Sequence, residues 1–356
     1  MGNSTTTYPT ITVTQQEELV NTYLTDVTEY NEEYETDETL DTVHIFSTVI
    51  YSVAFLLGTI GNGLVIFFTT FKMKRTVNIV WFLNLASADF IFTFCLPLSI
   101  AYTALNFHWP FGKFMCKLNS TILFINLYAS VFLLTAISID RCTSVMFPVW
   151  CQNHRTTRGA SLVALVVWIV AFIFSVPHFI IRDTNLGEDF VSCYNNFHED
   201  ENVAASIHKS MVILRTIFTF IIPFSLIVLC YGIIVFRIRK NRMNTTGKPF
   251  KIILAVIVLF FICWFPYHLF SLLDLSAGHD DNDHLRGVID AAMPFVTSLA
   301  FINSCINPVL YVFMGRDFKT KFFRSLHSAL EKAFMEETVQ TSFRSKTKSI
   351  SESQQL

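Results

Sequence analysis

Seven long apolar stretches, almost free of charge, follow an acidic N-terminal tail, and they constrain this chain more than any other feature. They run from Ile45 to Phe71, Val77 to Ile100, Leu118 to Ile139, Gly159 to Ile181, Thr216 to Phe236, Ile252 to Leu273 and Ala291 to Gly315. Each reaches the roughly 20 residues that cross ~30 Å of hydrocarbon as a helix. Backbone groups in lipid have no water to satisfy them, which favours helices over open sheets. A soluble helical protein would instead carry amphipathic stripes. The composition agrees, with 52% hydrophobic residues, 37 Phe and only 15% charged residues in 356. The expected fold is an all-α membrane protein, a seven-transmembrane helix bundle over residues 44–315. It would be preceded by an acidic tail (1–43) and followed by a short amphipathic eighth helix (316–327) and a Ser/Thr-rich tail (328–356).

Basic residues set the expected orientation. Residues 1–43 hold ten acids and no Lys or Arg, whereas Lys72, Lys74 and Arg75, then Arg155 and Arg158, then Arg237, Arg239, Lys240, Arg242, Lys248 and Lys251 fall in alternate connections. The positive-inside rule makes those connections cytoplasmic. Seven spans then put the N-terminus outside and the tail from Arg316 inside, in a multi-pass plasma-membrane protein. No secretory signal peptide is visible in the polar first 43 residues, so the first span is expected to act as its own insertion signal. Asn3-Ser4-Thr5 is a glycosylation acceptor on the outer side, unlike Asn119-Ser120-Thr121 and Asn244-Thr245-Thr246.

The eight cysteines sort by depth. Cys95, Cys142, Cys151, Cys230, Cys263 and Cys305 lie in spans or on the inner side, where thiols stay reduced. Cys116 and Cys193 alone face the oxidising side, so a disulfide between them is expected to tie the loop from Arg182 to about Val203 across the mouth of the bundle.

Polar residues within spans are costly and therefore informative. Asp89 is the only acid in the second span, with Asn62, Ser130, Asn303, Ser304 and Asn307 at depths that can bring them near it. Such oxygen donors suit a sodium ion; a protonated Asp in a hydrogen-bonded core fits the spacing equally well. Pro97, Pro177, Pro223, Pro266 and Pro308 interrupt their helices and offer hinges.

Gly61-Asn62, Asn84-Leu85-Ala86-Ser87-Ala88-Asp89, Asp140-Arg141-Cys142, Trp168, Pro223 with Tyr231, Cys263-Trp264-Phe265-Pro266 and Asn307-Pro308-Val309-Leu310-Tyr311 resemble, in order and over all seven helices, the motifs of rhodopsin-like G-protein-coupled receptors. Finer segments are similar to the chemoattractant branch. They include Thr70 to Asn78, Asn106-Phe107-His108-Trp109-Pro110-Phe111-Gly112, Pro148 to Arg155, Ile181-Arg182-Asp183-Thr184, Cys193-Tyr194-Asn195-Asn196-Phe197 and Lys248-Pro249-Phe250-Lys251. The nearest likeness is to the chemerin receptors. Formyl-peptide receptors come next, through the Asn-His-Arg loop, Asn303-Ser304-Cys305 and Ala329-Leu330-Glu331-Lys332-Ala333.

The resemblance implies that Arg141 is the inner-face switch, restrained by Asp140 and released to engage a heterotrimeric G protein, of the Gi family in this branch. Cys142 stands where most members have Tyr. Trp264 and Pro266 resemble the pivot beneath the ligand, and Tyr231, Asn307, Pro308 and Tyr311 the inner rearranging set. Asp89, Ser130 and Asn303 match the family's sodium site; no other cofactor is implied. Leu123 and Phe301 occupy the positions of the amine receptors' Asp and the opsins' Lys, which excludes both ligand classes.

Arg215 lies two turns above Pro223, where a guanidinium can receive a carboxylate bidentately. The resemblance makes it the contact for the inserted end of a chemoattractant peptide or protein, chemerin-like in kind; an internal pair with Asp274 or Asp290 is the alternative. Arg182, Lys209, Asn195, Asn196 and Asp274 complete the expected ligand set. Tyr23, Tyr30 and Tyr34, set among acids, offer sulfation sites in a docking tail. Inside, Phe318, Phe322 and Leu326 alternate with Lys319, Lys321 and Arg324, as in a helix lying on membrane lipid. No cysteine follows, so palmitoylation there is not expected. Thr338, Thr341, Ser342, Ser345, Thr347, Ser349, Ser351 and Ser353 would serve receptor kinases and arrestin once phosphorylated.

No Walker loop, metal-ligand cluster or Ser/His/Asp set appears, and an enzyme is not expected. A transporter should show internal repeats with paired broken helices, and none is visible. A ligand-gated receptor in leukocyte chemotaxis and inflammation is the leading reading. The alternatives are another chemoattractant receptor, formyl-peptide included, and a non-signalling scavenger. A nucleic-acid partner is not expected.

Overall fold

The computed structural model describes residues 45–186, 190–240, 248–277 and 283–314. The expected Asn3 glycan, the tyrosines of the N-terminal tail, the eighth helix, the C-terminal tail and the Tyr311 side chain lie outside the residues or side chains described.

Among the described residues seven helices are long and apolar enough to cross a membrane: α1 Ile45–Lys72, α2 Val77–Ala104, α3 Gly112–Met146, α4 Thr157–Ile181, α5 Glu201–Lys240, α6 Lys248–Ala277 and α7 Asp283–Met314. A short helix, Pro148–His154, joins α3 to α4. Their faces are distributed for lipid. Leu56, Phe94, Leu162, Phe172, Val228 and Ile262 are exposed, whereas Asn62, Asp89, Asn126, Ser130, Asn303 and Asn307 are buried. Polar side chains point inward because only there can they find partners.

Local chemistry sets the helix ends. Thr76 caps α2 by accepting from the Ile79 N–H, Thr156 caps α4 by accepting from Gly159, and Asp200 caps α5 by accepting from Asn202 and Val203. At the far end of α2, Asn106 and Phe107 turn left-handed (φ 50° and 61°), and the Phe107 N–H reaches back to the Tyr102 carbonyl at 2.8 Å. In α5 a five-residue π turn, Ile217–Ile221, precedes Pro223. Proline has no N–H to donate and crowds the preceding turn, and the wider π turn accommodates it.

α3 is the central element, packing against α2, α4, α5 and the short linker helix, while α6 and α7 pack along each other. Trp168 in α4 donates through Nε1 to Asn84 Oδ1 in α2 at 3.0 Å. Where α1 crosses α2 and α7 the backbones lie very close. A Cβ on Gly58 would sit 2.4 Å from Thr93 Cγ2, and one on Gly61 3.0 Å from the Pro308 ring.

The seven-helix bundle is as expected from the sequence, and the structure adds two features to it. The chain is not purely helical, because Arg182–Leu186 (β1) and Val191–Asn195 (β2) form an antiparallel hairpin at one end of the bundle. And α5 begins at Glu201, well before the apolar run that starts at Thr216. Its first four turns are amphipathic and extend past the apolar layer, which hydropathy does not register.

Candidate functional site

At the hairpin end the helices enclose a cavity of about 470 Å³. Helical phase decides which α5 residues reach it: His208, Met211, Val212 and Arg215, spaced three and four apart, line the wall. Lys209, expected at the rim, is exposed and one position out of phase, and does not line the cavity. The end of β2 divides Asn195 from the residue that follows it. Asn195 lines the cavity, while exposed Asn196 does not and donates its N–H to the Ile181 carbonyl at 2.7 Å.

Arg215 is only 8% exposed, and its guanidinium lies against two aromatic rings, 5.1 Å from the centroid of Tyr267 and 5.6 Å from that of Phe124. His178 stacks on the same Phe124 at 3.4 Å. Arg215 Nε has no hydrogen-bond partner, and among the described residues no acid lies within 4.0 Å of the guanidinium. Asp274 lines the same cavity without pairing with it, and Asp290 is exposed outside it. The internal ion pair is therefore not formed among these groups, leaving a buried cation that faces a cavity. Leu123 and Phe301, the positions that carry an amine-binding acid or a retinal lysine elsewhere, also line it.

A disulfide between Cys116, in the first turns of α3, and Cys193 of β2 fixes the hairpin over the cavity, with Cα atoms 5.9 Å apart. Lys113 pairs with Asp183 at 2.8 Å, and fully buried Trp109 donates its backbone N–H to the Val191 carbonyl at 2.7 Å and its indole N–H to the Gly112 carbonyl at 2.9 Å. The Lys113 ammonium and the Thr184 N–H hold the Asp183 carboxyl below its ordinary range. Burial pushes the Arg182 guanidinium down from its ordinary value; its Nη1 donates to Asn195 Oδ1 at 2.9 Å.

Below the cavity, Tyr267 packs on Trp264, and Trp264 on Phe260. At mid-depth Asp89 is fully buried. Asn307 donates to its Oδ2 at 2.7 Å, while Oδ1 has no hydrogen-bond partner. Asn62 donates to the Ser304 carbonyl at 2.8 Å and leaves its own Oδ1 unpaired. Asn126 donates to Ser304 Oγ at 3.0 Å and accepts from Ser130 at 3.1 Å. A carboxylate oxygen of Asp89 and an amide oxygen of Asn62, both buried without a hydrogen bond among the described residues, are the kind of donor a small hard cation takes. Asn303 is buried on α7 with the rest.

At the opposite end, Asp140 is gripped by Arg155, which reaches Oδ1 through Nε at 2.7 Å and Oδ2 through Nη2 at 2.8 Å. Arg141 lies 4.0 Å from the same carboxylate, and its Nη2 donates to Asn78 Oδ1. Asp140 thus lies at ion-pair distance from Arg141, while its hydrogen bonds go to Arg155. Neighbouring residues on a helix diverge by about 100°, and the acid faces the linker arginine. Tyr231 is buried on α5, and Pro266 and Pro308 sit inside α6 and α7.

The 7 transmembrane receptor (rhodopsin family) pattern matches residues 61–311. The chain belongs to the rhodopsin family of seven-transmembrane receptors. This is a receptor family rather than an enzyme family, and its seven spans make the protein a multi-pass one of the plasma membrane. The receptor is 47% identical to chemerin-like receptor 1 of Bos taurus over 314 residues, covering 85% of each chain. It is 45% identical to chemerin-like receptor 1 of Homo sapiens over 313 residues, covering 84% of this chain and 82% of that relative. It is also 45% identical to the C3a anaphylatoxin chemotactic receptor of Danio rerio over 300 residues, covering 84% and 80% respectively.

Sequence reasoning missed several of the receptor's site residues. Asn126 stands four residues before Ser130 on one face of α3 and was detectable by that spacing. Phe124, Tyr267 and His178 around Arg215, and Asn78 beside Arg141, carry no such signal; only the packed structure unites them.

Proposed function

We propose that this receptor is activated by a chemoattractant peptide or protein, chemerin-like in kind, whose anionic end enters the cavity and meets Arg215. The observation that carries the reading is Arg215 itself: a residue nine-tenths buried, its guanidinium flanked by Phe124 and Tyr267, lining the cavity and unpaired with any described acid. A buried charge is costly until it is partnered, so a ligand carboxylate supplies what the bundle leaves out. The names of the relatives, chemerin-like receptors and a C3a anaphylatoxin chemotactic receptor, support the same ligand class.

The hairpin end faces outward, as the charge bias of the connections requires, and the acidic N-terminal tail steers basic parts of the ligand. Ligand contact passes from Tyr267 to Trp264, α6 moves about its Pro266 hinge, and Arg141 is freed to engage a G protein of the Gi family. Asp89, with Asn62, Asn126, Ser130, Asn303 and Ser304, binds a sodium ion that favours the resting arrangement. Phosphorylation of the Ser/Thr-rich tail by receptor kinases recruits arrestin, and the amphipathic segment 316–327 lies on membrane lipid.

Cells expressing the receptor, exposed to a chemerin C-terminal peptide and separately to a formylated peptide, test this directly. Calcium release and suppression of cyclic AMP by the chemerin peptide at concentrations that leave the formylated peptide silent are expected. The reverse order of potency overturns the ligand assignment, and binding without either signal identifies a scavenger.

A further inference from the structure

Among the described residues the inner-face network contains one acid and two arginines, and the acid is not shared equally. Arg155 places Nε and Nη2 on the two oxygens of Asp140 at 2.7 and 2.8 Å, the parallel fork that gives the strongest guanidinium–carboxylate pairs. Arg141 approaches the same carboxylate only through Nε at 4.0 Å, beyond hydrogen-bond reach, and that Nε has no hydrogen-bond partner among the described residues. Asp140, Arg141 and Arg155 are 12%, 16% and 25% exposed in their side chains, so water screens the competition little. Arg155 is also held in place. Its N–H bonds the Cys151 carbonyl at the end of the linker helix, and the next residue, Thr156, caps α4. Asn78 Oδ1 accepts from Arg155 Nη2 at 2.8 Å and from Arg141 Nη2, so one amide oxygen registers both guanidinium groups.

We propose that Arg155 is a positioning residue for activation: by occupying both oxygens of Asp140 it keeps the acid from capturing Arg141, which is then tethered chiefly by the neutral Asn78. Without Arg155, the freed carboxylate draws in the Arg141 Nε that lies 4.0 Å from it, and a hydrogen-bonded ion pair is added to the bond on the neutral Asn78 amide. Arg141 then leaves its resting position less readily. Arg155 therefore promotes signalling although it need not touch the G protein. The sign is opposite to that of an extra clamp on the resting state, which would lower basal activity. This inference rests on the reading of Arg141 as the G-protein contact.

The test uses the full-length receptor in lipid nanodiscs with a purified heterotrimeric G protein, following nucleotide exchange per receptor without agonist and with saturating chemerin C-terminal peptide. The variants are Arg155→Gln, Arg155→Lys, Asp140→Asn, the Arg155→Gln/Asp140→Asn pair, and Arg141→Ala as control. Arg155→Gln is expected to lower exchange by roughly tenfold, the lower end of what one hydrogen bond to a charged group contributes. Arg155→Lys, which keeps the charge but loses the fork, should fall between it and wild type. In the Asp140→Asn background, which holds no acid to capture Arg141, Arg155→Gln should change nothing. Unchanged or raised exchange in Arg155→Gln overturns the proposal. So does an equal loss in the Asp140→Asn background, which would mark Arg155 as a direct G-protein contact. Should Arg141→Ala itself retain exchange, the underlying reading of Arg141 fails; a silent Arg141→Ala beside an unaltered Arg155→Gln sinks the positioning role alone.

Discussion

Replacing Arg215 by Ala probes the cavity most sharply when each receptor is tested with two peptides, a chemerin C-terminal peptide ending in a free carboxylate and the same peptide amidated. In the structure Arg215 is 8% exposed and its guanidinium is packed between Phe124 and Tyr267, so its removal takes away both a charge and aromatic contact. The packing loss falls on both peptides alike. The charge loss falls only on the free acid, and the cycle isolates it. Truncating one member of a buried charge pair costs roughly 2 to 5 kcal/mol, much of it from stranding the other charge. That corresponds to ~30-fold or more in affinity. Competition binding on surface-labelled receptors should show the free acid losing at least that factor in Arg215→Ala while the amide loses little further. Equal losses for both peptides, with normal expression, would make Arg215 a structural residue of α5 and refute the pocket assignment.

Cys116→Ser and Cys193→Ser should each reduce surface delivery or peptide binding, and the double variant should do no worse than either single one. Removing a native disulfide typically costs ~2 to 5 kcal/mol, and additive losses would contradict the pairing seen here. Gly58→Ala should lower the thermal midpoint of purified receptor, because its Cβ would meet Thr93 Cγ2 at 2.4 Å. An overpacked contact of this kind costs about 1 to 3 kcal/mol, and an unchanged midpoint would show that the α1–α2 crossing yields freely. Asp89→Ala and Asn126→Ala should each abolish the dependence of agonist affinity on sodium, tested against equal ionic strength of a large organic cation. Persistence of that dependence in Asp89→Ala would remove the ion from this site.

Much of the bundle was legible because lipid demands long apolar helices and water does not. The seven spans and the pairing of Cys116 with Cys193 follow from hydropathy and from which side each residue faces. The hairpin was not legible: Arg182-Asp183-Thr184-Asn185 is polar throughout, without the alternation that marks a strand. Hydropathy also could not register the start of α5, since Glu201 to Arg215 is amphipathic and set by the Asp200 cap. Arg215 was recognisable as an isolated cation near an apolar span. Its freedom from Asp274 depends on rotamers and helix positions that no spacing encodes. The same holds on the inner face, where Asp140 and Arg141 are adjacent in sequence but Arg155, 15 residues away, holds the acid.

The central claim is that ligand occupancy of the cavity is converted into G-protein activation through Arg141. Nucleotide exchange on a purified heterotrimer by wild-type receptor and Arg141→Ala, with peptide binding measured on the same nanodisc preparations, tests it most directly. The account predicts peptide-stimulated exchange by wild type and none by Arg141→Ala, with peptide still bound by both. Stimulated exchange by Arg141→Ala, or none by wild type at full occupancy, would contradict it.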